Sequence, residues 1–159
     1  MQTFNYLDQT KYLAGNNLNP APVAYVGGSD VFRTVDAGAA EGIAAAVNAF
    51  PAGAGRMLAI MHTLDGALGT VAPGATAFPW RGQSALVQWY VEPSGPPSAA
   101  VSWINTAHQA VQRYSVGGYV NYVEAGQPPS RYFGPNLAKL SAVRQKYDPR
   151  RIMFSGLNI

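Results

Sequence analysis

Ala85-Leu-Val-Gln-Trp-Tyr-Val91 is the most strand-like stretch of the 159-residue chain. Aliphatic and aromatic side chains dominate it, and Pro93, Pro96 and Pro97 end it because proline has no N–H for a sheet ladder. Working outward, Met57-Leu-Ala-Ile-Met61 is short and continuously apolar, which reads as a buried strand. Asp65-Gly66 is a hairpin signal after it, with Ala67 to Val71 expected as the returning strand. Ala72-Pro-Gly is a further turn, and Ala75-Thr-Ala-Phe-Pro-Trp-Arg81 leads into the opening stretch. Upstream, Val23 to Val26 is a short strand closed by a turn at Gly27-Gly28.

Two stretches between these carry helical periodicity. Asp30 or Thr34 is read as opening a helix over 36–50, where Ile43, Val47 and Phe50 recur at helical spacing and Pro51 stops it. Over 98–115, Val101, Ile104, His108 and Val111 form one stripe and Trp103, Ala107, Ala110 and Tyr114 an adjoining one, a broad apolar face. Downstream, Tyr119 to Val123 is expected as a strand and Gln127-Pro-Pro as a turn. A last helix is expected over 133–147 with Leu137, Leu140, Val143 and Tyr147 inward, ended by Asp148-Pro149. Residues 1–20, with the loop-like Gly15-Asn-Asn-Leu-Asn-Pro20, are expected to form an extended arm. The sum is one α+β domain over 1–159, an antiparallel sheet covered on one face by helices.

Composition narrows the chemistry. With no Cys there are no disulfides, thiolate metal sites or Cys nucleophile, nor any cysteinyl flavin bond. Two His, without His-rich spacing beside acids, make no metal site. No GxSxG elbow, phosphate-cradling Gly loop or dinucleotide fingerprint occurs. No apolar run approaches the roughly 20 residues of a membrane span, and no signal peptide opens the chain, so a soluble cytoplasmic protein is expected. The net charge of +3 is lopsided, with Arg131, Lys139, Arg144, Lys146, Arg150 and Arg151 all after residue 129. These alternate with apolar positions and read as a solvated helix face, so no nucleic-acid partner is expected.

The polar groups suited to catalysis are His62, His108, Asp65, Glu124 and the pair Tyr119 and Tyr122. His62 closes a buried strand near Asp65, where it serves either as a base or as a hydrogen-bonded hairpin residue. His108, on the apolar stripe of a helix, reads as a satisfied core histidine. In a strand Tyr119 and Asn121 share one face and Val120 and Tyr122 the other, and two such aromatics are ordinarily packing.

Tyr119-Val-Asn-Tyr-Val, Tyr132-Phe-Gly-Pro-Asn-Leu, Lys146-Tyr-Asp-Pro and Asn158-Ile159 follow one another in an order that resembles the C-terminal berberine-bridge segment, 119–159, of FAD-linked oxidases of the vanillyl-alcohol oxidase type. Asp65-Gly-Ala-Leu-Gly-Thr-Val and Ala75 to Arg81 are similar to that family's central hairpin, and Asn5-Tyr-Leu-Asp to the entry of its substrate domain. The resemblance implies the α+β fold of the family's substrate domain, with Asn121 as a flavin-facing contact and Tyr122 or Tyr119 as base or substrate-orienting hydroxyl. Trp80, Trp89, His62 and Arg81 are expected to line the substrate pocket. Tyrosine is a poor base at its ordinary pKa near 10, so that role needs a neighbouring cation or the flavin. The resemblance begins at the substrate domain, so the family's N-terminal flavin domain is not expected within this sequence. FAD is therefore expected only with a separate flavin-domain chain, and a homo-oligomer or that partner is expected to cover the terminal segment. The alternatives are a free-standing, flavin-independent cyclase or isomerase using the same aromatic pocket, and a non-catalytic small-molecule-binding domain.

Overall fold

The computed structural model describes residues 3–13, 22–153, 156–157 and 159; the Gly15–Pro20 loop reading and Asn158 lie outside the described residues. Four antiparallel strands make one sheet in the order β2-β3-β1-β4: β1 Val26–Phe32, β2 Gly55–Thr63, β3 Ala85–Pro93 and β4 Ser115–Gly117. Helices α2 Ala37–Asn48 and α3 Pro97–Val111 connect β1 to β2 and β3 to β4. Each connection joins strands that run parallel with another strand between them, so the arrangement is the split β-α-β, ferredoxin-like form of an α+β fold.

Alternation along β3 decides what each face holds. Val87, Trp89 and Val91 point to the helices and pack with Phe32, Trp103, Ile104, Ala107 and Val111 in the main core. Trp89 and Trp103 meet edge to face with ring centroids 5.9 Å apart, and Trp103 Nε1 donates to the Ala46 carbonyl at 2.9 Å, tying α3 to α2. The small residues of α2 let the helices approach closely: a Cβ on Gly42 would come within 2.9 Å of the Ala110 carbonyl oxygen. On the other face Val31 and Leu86 pack with Leu64 and Trp80. Neither α2 nor α3 covers that face.

Several sequence expectations are corrected. Part of the arm forms a helix, α1 Tyr6–Leu13, where Asn5 Oδ1 accepts from the Asp8 N–H at 2.9 Å. Gly27-Gly28 does not turn the chain but lies inside β1, because other groups crowd its backbone: a Cβ on Gly28 would lie 2.7 Å from a Glu124 carboxylate oxygen. Asp36, not Asp30 or Thr34, caps α2, accepting from the Ala39 N–H at 2.8 Å. The partner of β2 is β3; Gly66–Thr70 is a 3-10 turn, since the largely apolar 85–91 stretch takes the ladder position and Gly66 sits at φ +60°.

The Tyr119–Val123 strand is also replaced by a 3-10 turn, Val120–Tyr122. The groups that a ladder would use are spent elsewhere. The Gly118 N–H donates to the Arg131 carbonyl at 2.8 Å, the Gly118 carbonyl accepts from Trp80 Nε1 at 2.8 Å, and the Tyr119 N–H donates to the Ser29 hydroxyl at 2.8 Å. The last helix is divided into α4 Ser130–Phe133, a turn at Gly134–Asn136 and α5 Leu137–Tyr147. On α5, Leu137 and Leu140 pack against Tyr132, Phe133 and Leu157, but Val143 and Tyr147 are exposed rather than inward.

Candidate functional site

The open sheet face bears a cavity of about 700 Å³. Its wall is built from the end of β2, the 64–84 connection and the turn after β4, and includes His62, Leu68, Phe78, Arg81, Tyr119 and Tyr122. In the turn, Tyr119 and Tyr122 stand three residues apart and meet edge to face at 5.5 Å, with Phe78 edge-on to Tyr119 at 5.7 Å. Strand alternation, which would send the two tyrosines to opposite faces, does not hold here. Asn121 is exposed and lies outside the cavity lining, and its Nδ2 donates to the Tyr119 hydroxyl at 2.9 Å. That bond occupies an acceptor position of the hydroxyl and leaves its proton for another oxygen. The Tyr122 hydroxyl is pushed up from its ordinary 10, first by burial and then by Tyr119 and Tyr25, so at neutral pH it is a protonated donor.

Arg81 lies over the Phe78 ring, its guanidinium carbon 5.5 Å from the centroid, and donates to the Thr76 hydroxyl at 3.0 Å and the Leu68 carbonyl at 3.3 Å. It holds the 64–84 connection closed as a wall while facing the cavity. His62 is exposed at the cavity edge. From below, Asn136 Nδ2 donates to the Pro73 and Thr76 carbonyls at 2.6 and 2.9 Å, so the Gly-Pro-Asn turn pins the loop that carries Phe78.

The two tryptophans read as pocket residues lie elsewhere. Trp80 is buried beneath the wall, its ring against Gly117 and Gly134, where it supports Tyr119 and Tyr122 without lining the cavity. Trp89 is fully buried on the helix-covered side and donates from Nε1 to Asp30 at 2.8 Å. Its odd position in β3 puts it on the face opposite Leu86, so it cannot reach the cavity. Phe78 takes the aromatic role in the wall. Its place in Ala75 to Arg81, quoted for the family resemblance, is the signal that marks it.

A second group of polar side chains lies under the turn. Asp30 is 1% exposed in β1, yet its carboxylate is fully engaged. It accepts from Trp89, from the Ser115 hydroxyl at 2.6 Å and from Arg131 Nη2 at 3.1 Å, and pairs with His108 Nδ1 at 2.6 Å. His108 Nε2 meets the Glu124 carboxylate at 2.6 Å. Burial works against charge on His108, but the hydrogen bonds and charges of Asp30 and Glu124 outweigh it and the pKa is pushed up to about 9. Burial likewise raises Asp30, and the hydrogen bond and charge of His108, then Arg131 and Ser115, bring it below the usual carboxylate range. His108 is thus a satisfied core histidine, as its stripe position indicated. Its partners come from β1 and from the C-terminal segment, a long-range pairing that periodicity does not register. Among the described residues no group of His, Asp and Glu is arranged to hold a metal ion, and no helix is long and apolar enough to cross a membrane.

An antiparallel sheet with helices on one face is a fold this chain shares with solved structures of oxidases. Residues 118–155 match the family described as "Berberine and berberine like". Over 97 residues the chain is 34% identical to YgaK, an uncharacterized FAD-linked oxidoreductase of Bacillus subtilis (strain 168), covering 57% of this chain and 21% of that protein. Chitooligosaccharide oxidase superposes with a TM-score of 0.79 at 22% identity, covering 91% of this chain and 36% of the other. Physcomitrella patens BBE-like 1 gives a TM-score of 0.72 at 24% identity, covering 85% and 30%. The chain is thus similar in sequence and fold to berberine-bridge-like FAD-linked oxidoreductases, and it spans about a fifth of the length of the curated relatives it matches.

Proposed function

We propose that the chain forms the substrate-side wall of an FAD-linked oxidoreductase acting on a small molecule, with the flavin held by a separate flavin-domain chain. The observation that carries this reading is the gathering of the Tyr119 and Tyr122 hydroxyls, Arg81 and His62 around one apolar-walled cavity on the uncovered sheet face. Aromatic walls with a few polar groups orient a small molecule, and the open side leaves room for a planar cofactor.

The residues suit one end of FAD. Asn121, exposed and bonded to the Tyr119 hydroxyl, would contact the flavin, whereas the sequence holds no glycine-rich loop for the diphosphate, which would fall to the partner. Bound flavin supplies the two-electron acceptor. This chain's residues orient the substrate: Tyr119, its acceptor position taken by Asn121, donates to a substrate oxygen. Tyr122 is the second hydroxyl at the reacting centre and accepts a proton only once a nearby positive charge lowers its pKa.

The test is anaerobic reduction of FAD by candidate small molecules, using the chain together with a flavin-domain chain. Bleaching of the flavin spectrum that needs both chains and slows at least tenfold in Tyr122→Phe supports the reading. Conversion of a small molecule by this chain alone, at a rate indifferent to FAD, overturns it in favour of a flavin-independent isomerase or cyclase.

A further inference from the structure

We infer that His108, bridging Asp30 of β1 and Glu124 of the C-terminal segment, is a positioning residue that fixes the Tyr119–Tyr122 turn in the cavity wall. The inference rests on the proposed role of that cavity, but its geometry stands independently. The turn has no sheet ladder: it is a single 3-10 turn with Tyr122 N–H bonded to the Tyr119 carbonyl at 2.9 Å, and Asn121 and Val123 are exposed. Its two ends are fastened from outside.

At the leading end, Gly118 and Tyr119 are held by the Arg131 carbonyl and the Ser29 hydroxyl at 2.8 Å each. Arg131 in turn donates from Nη2 to the Ser29 carbonyl at 2.6 Å and to Asp30 at 3.1 Å. At the trailing end, the Glu124 N–H donates to the buried Tyr132 hydroxyl at 2.9 Å and its carboxylate meets His108 Nε2. The two fastenings therefore meet at the imidazole of His108, which touches Asp30 through one nitrogen and Glu124 through the other.

Only a doubly protonated imidazole donates at both nitrogens, and two carboxylates facing one neutral ring would leave one of them unmatched. The groups that face the ring from the packed elements are Asp30 on β1, Glu124, and Arg131 on α4, whose Nη2 lies 3.2 Å from Nδ1. Ser115 on β4 donates to Oδ1 of Asp30, and Trp89 on β3 donates to Oδ2, the oxygen that meets His108. Opposite charges balance within this group, so the protonated ring is the form that holds the carboxylates together. Gly28 fits the same account, since any larger residue there would displace the Glu124 carboxylate.

The experiment is amide hydrogen exchange on the intact chain, comparing the 118–125 segment with the β1 and β3 amides in the wild type, His108→Gln and Glu124→Gln. It requires neither substrate nor flavin, so its outcome is separate from that of the proposed reaction. The expected result is a rise of about tenfold or more at Glu124 in both variants and at Tyr119 in His108→Gln, with Val31 and Val87 unchanged in Glu124→Gln. His108→Gln should also loosen the leading end, whereas Glu124→Gln, which leaves the Asp30–Arg131 pair in place, should act mainly on the trailing end. Unaltered exchange at the turn in Glu124→Gln, or an equal rise throughout the sheet in both variants, overturns the inference.

Discussion

Raising the pH from 6 to 9.5 should remove most of the stabilisation that His108 confers, and the structure gives both the sign and the size. The folded-state pKa of His108 is about 9 against an ordinary 6.5. Between those values the folded chain holds a proton that the unfolded chain has released, so stability falls as pH rises; below 6.5 both states are protonated and the stabilisation is complete. The gap of 2.5 units, taken at 1.36 kcal/mol per unit, amounts to about 3 kcal/mol. On the acid side the sign reverses for Asp30, whose lowered pKa contributes stability that is lost as pH falls below its ordinary 3.8. The window in which the pair contributes fully therefore runs from about pH 4 to 6.5. Urea denaturation of the wild type and of His108→Gln at pH 6, 7.5 and 9.5 isolates the effect, because titrations of other groups are common to both proteins. The difference in unfolding free energy should shrink by about 3 kcal/mol across the series, with most of the change above pH 6.5. A difference that stays constant from pH 6 to 9.5 would refute the bridging, charged state of His108.

Other outcomes follow from single contacts. Trp89→Phe removes the Nε1 donor to the buried Asp30 and part of a packed ring, and should cost about 2–3 kcal/mol in urea denaturation. Asp36→Ala deletes the α2 cap and should lower stability by about 1 kcal/mol, while Asp36→Asn stays close to the wild type. Asn136→Ala frees the Pro73 and Thr76 carbonyls, so limited proteolysis should cut the 72–77 loop sooner while the sheet core stays protected from hydrogen exchange.

The central strands and two large helices were legible because their signals are local. The 85–91 run is apolar on both sides, and it is buried on both sides, between the helix-packed core and the Leu64–Trp80 cluster. The broad stripe over 98–115 emerges as α3, with Trp103, Ile104, Ala107 and Val111 buried. What sequence periodicity misplaced depends on distant partners. Tyr119 to Val123 has strand-like residues, but Trp80, Arg131 and Ser29 claim its leading backbone groups from 38, 13 and 90 positions away. Gly27-Gly28 carries a turn signal, but glycine inside a strand equally marks close approach of another group, which at Gly28 is the Glu124 carboxylate. Tyr119, Tyr122, His62 and Arg81 line one cavity, with Asn121 bonded to the Tyr119 hydroxyl, whereas the strand register of Trp89 sends it to the helix side.

The density of motif residues after Gly117 has a mechanical explanation in these contacts. Asn136 pins the 73–76 loop, and Tyr132 receives the Glu124 N–H. Arg131 spans Ser29 and Asp30, and Asp148, 5% exposed, accepts from the Ile152 and Met153 N–H groups at 2.7 and 3.1 Å to fold the terminal turn. Each of these side chains serves a backbone group or a buried charge, and none of these bonds leads to a ligand. Tyr119 and Tyr122 turn to the cavity beside Tyr132, whose hydroxyl is taken by the Glu124 N–H. A segment that carries so little regular structure must obtain its rigidity from such side-chain ties, because a turn outside the sheet has no ladder to hold it. Loss of one tie should therefore move the hydroxyls before it unfolds the sheet. This predicts that variants such as Asn136→Ala and Glu124→Gln will weaken small-molecule binding, measured by calorimetry, by a larger factor than their loss of global stability in urea accounts for. If binding falls only in proportion to the fraction of chain unfolded, the ties have no positioning role beyond stability.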